Sequence, residues 1–200
     1  MKIKLLILLL ILFTPAAKLF AQWEKVADYN AGPGHIVTHG STVFLYGDDS
    51  NGKQLVYRST DNGTTWTNIA DKFPAPLFAI HGHGNNIFAI GLGYFNYSTD
   101  DGETWSSKST SGAPANLAYI DLISDGSILY ALSNRSVVLK STDDGSTWTQ
   151  INVNYSQANV MGIDFAANGN KMIFCAINLG SFISTDGGAN WTLKNPAYII

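Results

Sequence analysis

The sequence predicts an all-β protein, a β-propeller with four-stranded antiparallel blades, about four of which are complete. One motif, S-T-D-x-G-x-x-W, occurs four times, with its tryptophans 39, 43 and 43 residues apart. A weaker repeat in step with it places a glycine between two apolar stretches. Four short strands in a period of about 43 residues is typical of a propeller blade. A β-sandwich, the other architecture considered, does not require such regular copies.

We call the four copies of the motif the S-T-D turns and expect each to precede the last strand of its blade. The aspartate can accept hydrogen bonds from backbone N–H groups of its own turn, and the glycine allows a left-handed backbone. The tryptophan can bury its ring between sheets. We expect a structural role for their key residues, which are Ser59, Asp61, Gly63, Trp66, Ser98, Asp100, Gly102, Trp105, Ser141, Asp143, Gly145, Trp148, Ser184, Asp186, Gly188 and Trp191.

The weaker repeat predicts a tight hairpin between the first two strands of each blade. Its dipeptides are His39-Gly40, His83-Gly84, Asp125-Gly126 and Asn168-Gly169. Such dipeptides suit a two-residue hairpin loop, in which both residues adopt positive φ. For the second period, the four predicted strands are Leu77–His81, Ile87–Gly91, Tyr94–Ser98 and Thr104–Lys108.

The repeat also sets the expected domain boundaries. One propeller domain, 22–200, holds blades at about 34–70, 77–109, 117–153 and 158–194. Trp23–Val26, within 22–28, resembles the strand that follows an S-T-D turn, and 196–200 resembles the opening strand of a blade. Neither has the rest of a blade beside it, so we expect an incomplete propeller whose natural chain continues beyond Ile200.

The first 21 residues have the layout of a secretory signal peptide. Two lysines in Met1–Lys4 precede the apolar run Leu5–Phe13, and Ala21 offers a small residue for cleavage. The run is shorter than the roughly 20 residues needed to span a bilayer. We therefore expect a secreted, periplasmic or cell-surface protein without a membrane span after cleavage.

The charge of the expected mature chain excludes two classes of partner. Nine basic residues face fifteen acidic ones after residue 21, a net charge of −6. No basic patch remains, which argues against nucleic acid and anionic membranes as partners. Cys175 is the only cysteine, so no intrachain disulfide can form. We expect it to be a small buried residue.

The S-T-D turns resemble the Asp boxes, or BNR repeats, of the sialidase superfamily of propellers. That superfamily includes sortilin-type receptors, xyloglucanase-type glycosidases and photosystem II stability-factor-like propellers. The resemblance covers nearly all of 22–200 and implies that each Asp box lies between the third and fourth strands, away from the active face. It implies the fold and leaves the function open.

Sialidase activity is not expected. The resemblance implies three arginines that clamp a substrate carboxylate and an F/Y-R-I-P segment before the first Asp box. This chain has only Arg58 and Arg135, and no such segment precedes Ser59. Lysine does not replace a bidentate arginine without loss.

No metal site, cofactor or catalytic residue is predicted. The acidic residues of the S-T-D turns are adjacent rather than alternating, unlike those of a calcium loop. His81 and His83 could form half of a zinc site, but His83 occupies the hairpin position. A glycosidase that uses two aspartates could draw them from those outside the S-T-D turns and hairpins, which are Asp28, Asp48, Asp49, Asp71, Asp121 and Asp164. Asp121 and Asp164 fall at equivalent positions on the innermost strand, which favours a structural or channel-lining role.

Strand parity separates a uniform side of the propeller from a variable one. The hairpins and S-T-D turns lie on one side, whereas the second-to-third loops and the inter-blade connections lie on the other. We call the latter the variable-loop face and expect binding there. The candidate contact residues are Tyr94, Phe95, Arg135, Lys72 and Phe73. The predicted function is a secreted, non-catalytic binding or scaffold module for a protein or glycan partner, and the alternative is a carbohydrate-active glycoside hydrolase.

Overall fold

The computed structural model describes residues 34–194 apart from 75, 109–110, 115–116, 136, 154–161 and 178. These residues form four separate sheets, each of four antiparallel strands, and the predicted fold class is confirmed. The predicted signal peptide 1–21 and the predicted single strands at 22–28 and 196–200 lie outside the described residues.

Each blade contains four strands in chain order. Blade 1 comprises β1 His35–His39, β2 Thr42–Asp48, β3 Gln54–Ser59 and β4 Thr67–Asn68. Blade 2 comprises β5 Leu77–His83, β6 Asn86–Gly91, β7 Tyr94–Ser98 and β8 Ser106–Ser107. Blade 3 comprises β9 Tyr119–Asp125, β10 Ile128–Ser133, β11 Val138–Ser141 and β12 Thr149–Ile151. Blade 4 comprises β13 Gly162–Asn168, β14 Lys171–Ala176, β15 Gly180–Ser184 and β16 Thr192–Lys194.

The first two strands of each blade are joined by a tight hairpin, as predicted, but its two-residue loop begins at the glycine. The residue before the glycine is the last of the first strand and does not have positive φ, so that part of the prediction is wrong. Gly40, Gly84, Gly126 and Gly169 have φ between 57° and 59°, the left-handed region that glycine reaches without steric cost. A short 3-10 turn, Ala70–Lys72, follows the last strand of blade 1. The first strands of successive blades, β1, β5, β9 and β13, contact one another. They are therefore the innermost strands, as predicted for the strands that carry Asp121 and Asp164.

Each blade has two faces, because side chains alternate along its strands. We call the face toward the following blade the front face and the opposite one the rear face. The front faces of blades 1 to 3 bury an aromatic ring four residues after the hairpin glycine, at most 1% exposed: Phe44, Phe88 and Tyr130. The rear faces of blades 2 to 4 bury an apolar side chain on the first strand, each 3% exposed: Ile80, Leu122 and Phe165.

Front and rear faces meet in three apolar cores, one between each pair of neighbouring blades. Burial of each large apolar side chain contributes about 1.5–3 kcal/mol, so the interfaces between blades are a main source of stability. Within the core between blades 2 and 3, the ring centroid of Phe95 lies 4.7 Å from that of Tyr119 and 5.0 Å from that of Trp148.

Polar contacts join neighbouring blades on the hairpin side. His39 Nε2 lies 3.0 Å from the Gly84 carbonyl oxygen, and the Gly169 N–H donates to the Asp125 carboxylate. His39 fits because Gly82 faces it without a side chain: a Cβ there would come within 2.4 Å of the imidazole. In both pairs, the residue before one hairpin glycine contacts the hairpin glycine of the next blade.

The S-T-D turns lie on this same side. Arg58 lies next to the end of β3. Its guanidinium donates to the Asp101 carbonyl oxygen at 2.6 Å and forms an ion pair with the Glu103 carboxylate at 2.7 Å. Asp101 and Glu103 belong to the S-T-D turn of the following blade. The uniform side of the propeller is thus occupied by contacts that hold successive blades together.

Candidate functional site

The S-T-D turns are closed hydrogen-bond networks with the same geometry in all four blades. The serine hydroxyl donates to one aspartate oxygen at 2.7–2.8 Å and accepts from the glycine N–H at 2.8–2.9 Å. The residue four positions after the aspartate donates its backbone N–H to one aspartate oxygen and its side chain to the other. That residue is Thr65, Thr104, Thr147 or Asn190. These carboxylates are therefore committed to their own turns.

Each turn has a second residue with a left-handed backbone, which the motif did not predict. The residue between the aspartate and the glycine also has positive φ, at 53–73°: Asn62, Asp101, Asp144 and Gly187. Only asparagine, aspartate and glycine stand at this position, and these are the residues that tolerate a left-handed backbone. The sequence could have indicated this backbone conformation, because no other residue type occurs at this position in the four copies.

The four motif tryptophans differ in burial, although all were expected to be buried between sheets. Trp148 is 4% exposed, whereas Trp66, Trp105 and Trp191 are only half-buried. The indole N–H of Trp105 donates to the Gly102 carbonyl oxygen at 3.1 Å, and that of Trp191 to the Gly188 carbonyl oxygen at 3.0 Å. The rings of Trp105 and Trp191 therefore also cap their own turns, whereas the indole N–H of Trp66 has no hydrogen-bond partner among the described residues.

Hydrogen bonding lowers the pKa of the turn aspartates. Bonds from the backbone N–H and side chain of Thr65, and from the Ser59 hydroxyl, lower the pKa of Asp61 to about 2. The pKa values of Asp143 and Asp186 fall to about 2 for the corresponding reasons. The pKa of Asp100 is also lowered to about 2, and the hydrogen bond from the Thr104 side chain is the largest cause. Carboxylates this acidic stay ionised and are poor general acids.

His81 is held neutral within blade 2. Burial, assisted by nearby His83 and His39, lowers its pKa to about 4, and its Nε2 lies 2.8 Å from the Ser124 hydroxyl of blade 3. His83 is 7% exposed, and its Nε2 lies 3.3 Å from an Asp144 carboxylate oxygen. Both histidines thus link blades 2 and 3, which gives them a structural role.

Acid should destabilise the fold in two stages. His81 has a depressed pKa, so the unfolded state binds a proton more readily, and stability falls as the pH drops from 6.5 toward about 4. The turn aspartates stabilise fully above their ordinary pKa of 3.8, and this contribution is lost as the pH falls toward 2. Thermal melts across this range should show both stages. His81→Gln should remove the first stage only, and a profile unchanged by this substitution would contradict the assignment.

The variable-loop face carries a cleft between blades 1 and 2, which we call the blade 1–2 cleft. Its volume is about 390 Å³, within the size range of small-ligand sites. Its walls come from the β2–β3 loop of blade 1 and the start of blade 2. The lining residues are His35, Tyr46, Gly47, Asp48, Asp49, Gln54, Pro76, Leu77 and Phe78.

Two stacked rings form one wall of the cleft. The imidazole of His35 lies 5.0 Å from the Tyr46 ring, with 15° between their planes. Tyr46 is 5% exposed, and its hydroxyl accepts a hydrogen bond from the Ile80 N–H at 3.3 Å. Burial raises the pKa of this phenol. The tyrosine is fixed in place, so the wall is preformed.

The loop that closes the cleft is held by Asp49. One carboxylate oxygen accepts hydrogen bonds from the N–H groups of Asn51 at 2.8 Å and Lys53 at 2.9 Å. These bonds lower the pKa of Asp49. Asp48, its neighbour, is exposed at the end of β2, and no hydrogen bond joins its carboxylate to the described residues. Asp48 can therefore accept from a ligand.

Gln54 connects the two blades beneath the cleft. Its amide donates to the Leu77 carbonyl oxygen at 3.0 Å, which fixes the spacing of the two walls. On the other side of Gln54 lies a second, more open depression of about 540 Å³, lined by Lys53, Gln54, Asn68, Ala70 and Asp71.

The predicted contact residues do not gather at this cleft. Phe95 is 2% exposed and Phe73 is 8% exposed. Both rings pack in cores between blades, so their prediction as surface contacts is wrong. Tyr94 is half-buried against Gly91. Lys72 donates to the Glu103 carbonyl oxygen at 2.5 Å, and only Arg135 is an exposed loop residue without a role in packing between blades.

A pair of aspartates lies near the axis of the blades. In the register of the strands, Asp121 lies opposite Leu132 and Asp164 lies opposite Cys175. This is the position of His35 in blade 1, which lies opposite Tyr46. Burial and the charge of Asp164 raise the pKa of Asp121, whereas the Leu122 N–H and His35 lower it. Asp121 therefore sits within electrostatic range of the cleft wall.

Two kinds of feature are absent from the described residues. No group of three histidine, cysteine, aspartate or glutamate side chains in that part of the chain could hold a metal ion. No described helix is long and apolar enough to cross a membrane. Cys175, expected to be buried, is half-exposed on the front face of blade 4.

The fold and the two faces define the class of this chain as a β-propeller. Residues 83–199, more than half of the chain, match the model of the DUF6242 beta propeller domain. The chain therefore belongs to this family. No curated protein matches the sequence.

Three solved structures illustrate the likeness. An ancestral GH74 enzyme is 19% identical over 84% of this chain and 25% of its own, with a TM-score of 0.60. A Niastella koreensis GH74 enzyme is 26% identical over 76% of this chain and 22% of its own, with a TM-score of 0.50. The extracellular domain of a putative hybrid two component system from B. thetaiotaomicron is 11% identical over 82% of this chain and 22% of its own, with a TM-score of 0.61.

The chain thus spans about a quarter or less of the length of these three structures. The family model and the matches confirm that the chain is a β-propeller. The likeness to the solved structures establishes the fold alone.

Proposed function

We propose that this chain is a secreted, non-catalytic propeller module that binds a protein or glycan partner at the blade 1–2 cleft. The observation that carries the proposal is the preformed cleft on the variable-loop face, where the His35–Tyr46 stack stands beside the free carboxylate of Asp48. The opposite side is occupied by contacts between blades. Secretion is supported by the signal-peptide layout of residues 1–21.

The chemistry of the cleft favours a neutral glycan among these partners. Carboxylate and amide oxygens of Asp48 and Gln54 can accept hydrogen bonds from sugar hydroxyls, and the ring of Phe78 offers an apolar surface. The expected mature charge of −6 disfavours an acidic peptide. A basic peptide is the protein partner that the same carboxylates would accept.

A non-catalytic role is supported by the state of the cleft carboxylates. Glycoside hydrolysis ordinarily needs one carboxylic acid with a raised pKa and a second carboxylate several ångströms away. Asp48 and Asp49 are sequence neighbours, and the pKa of Asp49 is lowered by its own loop. The cleft therefore offers acceptors rather than an acid and a base.

A glycoside hydrolase is the second candidate, and Asp121 is the observation that favours it. Its pKa is raised by burial and by Asp164, the state that a general acid requires. Two of the similar structures are GH74 enzymes. The equivalence of Asp121 and Asp164 in successive blades supports the structural alternative.

The proposal is tested by binding of the purified chain to an array of neutral oligosaccharides and basic peptides, followed by titration calorimetry with any ligand found. Phe78→Ala and Asp48→Asn should each weaken binding at least about tenfold. Glu103→Gln, on the opposite side, is the matched control and should leave binding unchanged. Equal affinity of all three variants would contradict the cleft as the site. Release of reducing sugar that is lost in Asp121→Asn would establish the enzyme instead.

A further inference from the structure

Blade 1 has a longer loop between its second and third strands than the other described blades. Its loop 49–53 stands where blades 2, 3 and 4 have 92–93, 134–137 and 177–179. The Asp49 carboxylate fixes this loop by accepting from two of its backbone N–H groups. The blade 1–2 cleft and the more open depression lie on either side of the loop's end, because Gln54 lines both. The segment 46–71 of blade 1 is described without a gap.

Gln54 presents a hydrogen-bond acceptor between the two depressions. Its side-chain nitrogen donates to the Leu77 carbonyl oxygen at 3.0 Å. The reversed amide is excluded, since its oxygen would then face another carbonyl oxygen. The side-chain oxygen of Gln54 is therefore the free end of the amide, and no hydrogen bond joins it to the described residues. One side chain in a fixed orientation thus borders both depressions.

The second depression offers hydrogen-bond donors and acceptors without a net charge. The Lys53 ammonium and the Asp71 carboxylate both belong to its lining, and neither has an ion-pair partner in the described part of the chain. Asn68 Oδ1 accepts from the Ala70 N–H at 3.0 Å, which leaves the amide nitrogen of Asn68 to donate. This mixture suits sugar hydroxyls, because each hydroxyl both donates and accepts hydrogen bonds.

The backbone of the second depression is anchored on both sides of the short turn Ala70–Lys72. Before the turn, the Ile69 N–H donates to the Val56 carbonyl oxygen at 2.8 Å, and the Ile69 side chain is 2% exposed. After it, the Phe73 ring packs against blade 2, with its centroid 5.1 Å from that of Trp105. The polar groups of the turn therefore need little backbone ordering when a ligand binds.

We propose that the two depressions are subsites of one binding site, bridged by Gln54, and that its ligand is a neutral oligosaccharide long enough to reach both. The inference rests on the proposed function, because the first subsite is the blade 1–2 cleft. The rings of His35, Tyr46 and Phe78 give that subsite an apolar contact for a sugar unit. The second subsite supplies hydrogen bonds alone, so it adds affinity only for a ligand that extends past Gln54.

The charges of the two subsites disfavour a charged peptide. Asp48 lies in the cleft, whereas Lys53 and Asp71 lie in the second depression. A peptide that carries one sign of charge along its length meets a like charge in at least one of these places, which penalises its binding. Sugar hydroxyls carry no charge and avoid this penalty.

The test is titration calorimetry of the full chain with neutral glucose and mannose oligomers, from the disaccharide to the hexasaccharide. We expect the hexasaccharide to bind at least about tenfold more tightly than the disaccharide. Lys53→Ala combined with Asp71→Ala should weaken hexasaccharide binding about threefold to tenfold, the effect of one or two hydrogen bonds. The same double variant should leave disaccharide binding unchanged.

Two further variants serve as controls. Phe78→Ala changes the first subsite and should weaken the binding of both oligomers. Lys171→Ala removes an exposed lysine on the hairpin side of blade 4, and it should weaken neither. Circular dichroism of each variant establishes that it is folded.

The remaining outcomes separate a failure of this inference from a failure of the proposed function. Affinity that does not rise with oligomer length would overturn the second subsite and leave the cleft as the site. A double variant that weakens both oligomers equally would do the same. Binding of a basic peptide and of none of the oligomers would overturn the oligosaccharide and leave a protein partner. A chain that binds neither class would overturn the proposed function as well.

Discussion

Replacing Trp148 with alanine should lower the free energy of unfolding by about 3–5 kcal/mol, the range for truncating a buried aromatic side chain. The ring is 4% exposed and packs 5.0 Å from Phe95 in the core between blades 2 and 3. Urea denaturation measures the change. The loss of stability has two sources, the apolar surface of the ring that is no longer buried and the cavity that the truncation leaves.

The other motif tryptophans supply the control for this prediction. Trp66 occupies the same position of its S-T-D turn but is half-buried, so Trp66→Ala should cost clearly less. Equal losses at the two positions would mean that the tryptophan acts through its turn rather than through the core between blades.

Phe88→Ala should have an effect of similar size, about 3–5 kcal/mol. Phe88 is 1% exposed on the front face of blade 2, where it meets blade 3. Phe78→Ala removes the same side chain from the cleft wall, where the ring is only half-buried. We expect the second substitution to cost much less, and urea denaturation of both variants compares them. Equal costs would contradict the assignment of Phe88 to a blade interface.

The strands and turns were predictable from sequence because their signals are local. For blade 2, the expected strands Leu77–His81, Ile87–Gly91 and Tyr94–Ser98 agree with those observed to within two residues. The fourth strand was expected at Thr104–Lys108 but spans only Ser106–Ser107. The length of β8 depends on its pairing with β7, in which only Asn96 and Tyr97 have partners in β8. The residue pattern of one strand does not encode how far it pairs with its neighbour.

The site was less predictable because it depends on which face of a strand meets the next blade. Tyr94 and Phe95 are neighbours in a strand beside a variable loop, and both could be surface contacts on sequence grounds. The structure turns Phe95 toward blade 3, where it packs on Tyr119. The cleft unites His35 with Phe78, which are 43 residues apart in the sequence. That distance is one blade repeat, so the two become neighbours only when blades 1 and 2 pack.

The Asp-box resemblance implies that the S-T-D turns lie away from the expected binding face, and their hydrogen bonds agree with a structural role. Each of the four aspartates accepts from its serine hydroxyl and from the residue four positions later. A carboxylate so engaged has little capacity left for a ligand. The free acceptor at Asp48 could not be distinguished from Asp49 by sequence, because only the folded loop shows which of the two carboxylates it uses.

If the hairpin side holds the blades together and the variable-loop face binds the ligand, hydrogen exchange should separate the two sides. The exchange is measured with and without an oligosaccharide or peptide that binds on the array. We expect slower exchange in residues 46–54 and 76–78, which line the cleft, and no change in the S-T-D turns. Protection confined to turn segments such as 98–105, with 46–54 unaffected, would contradict it.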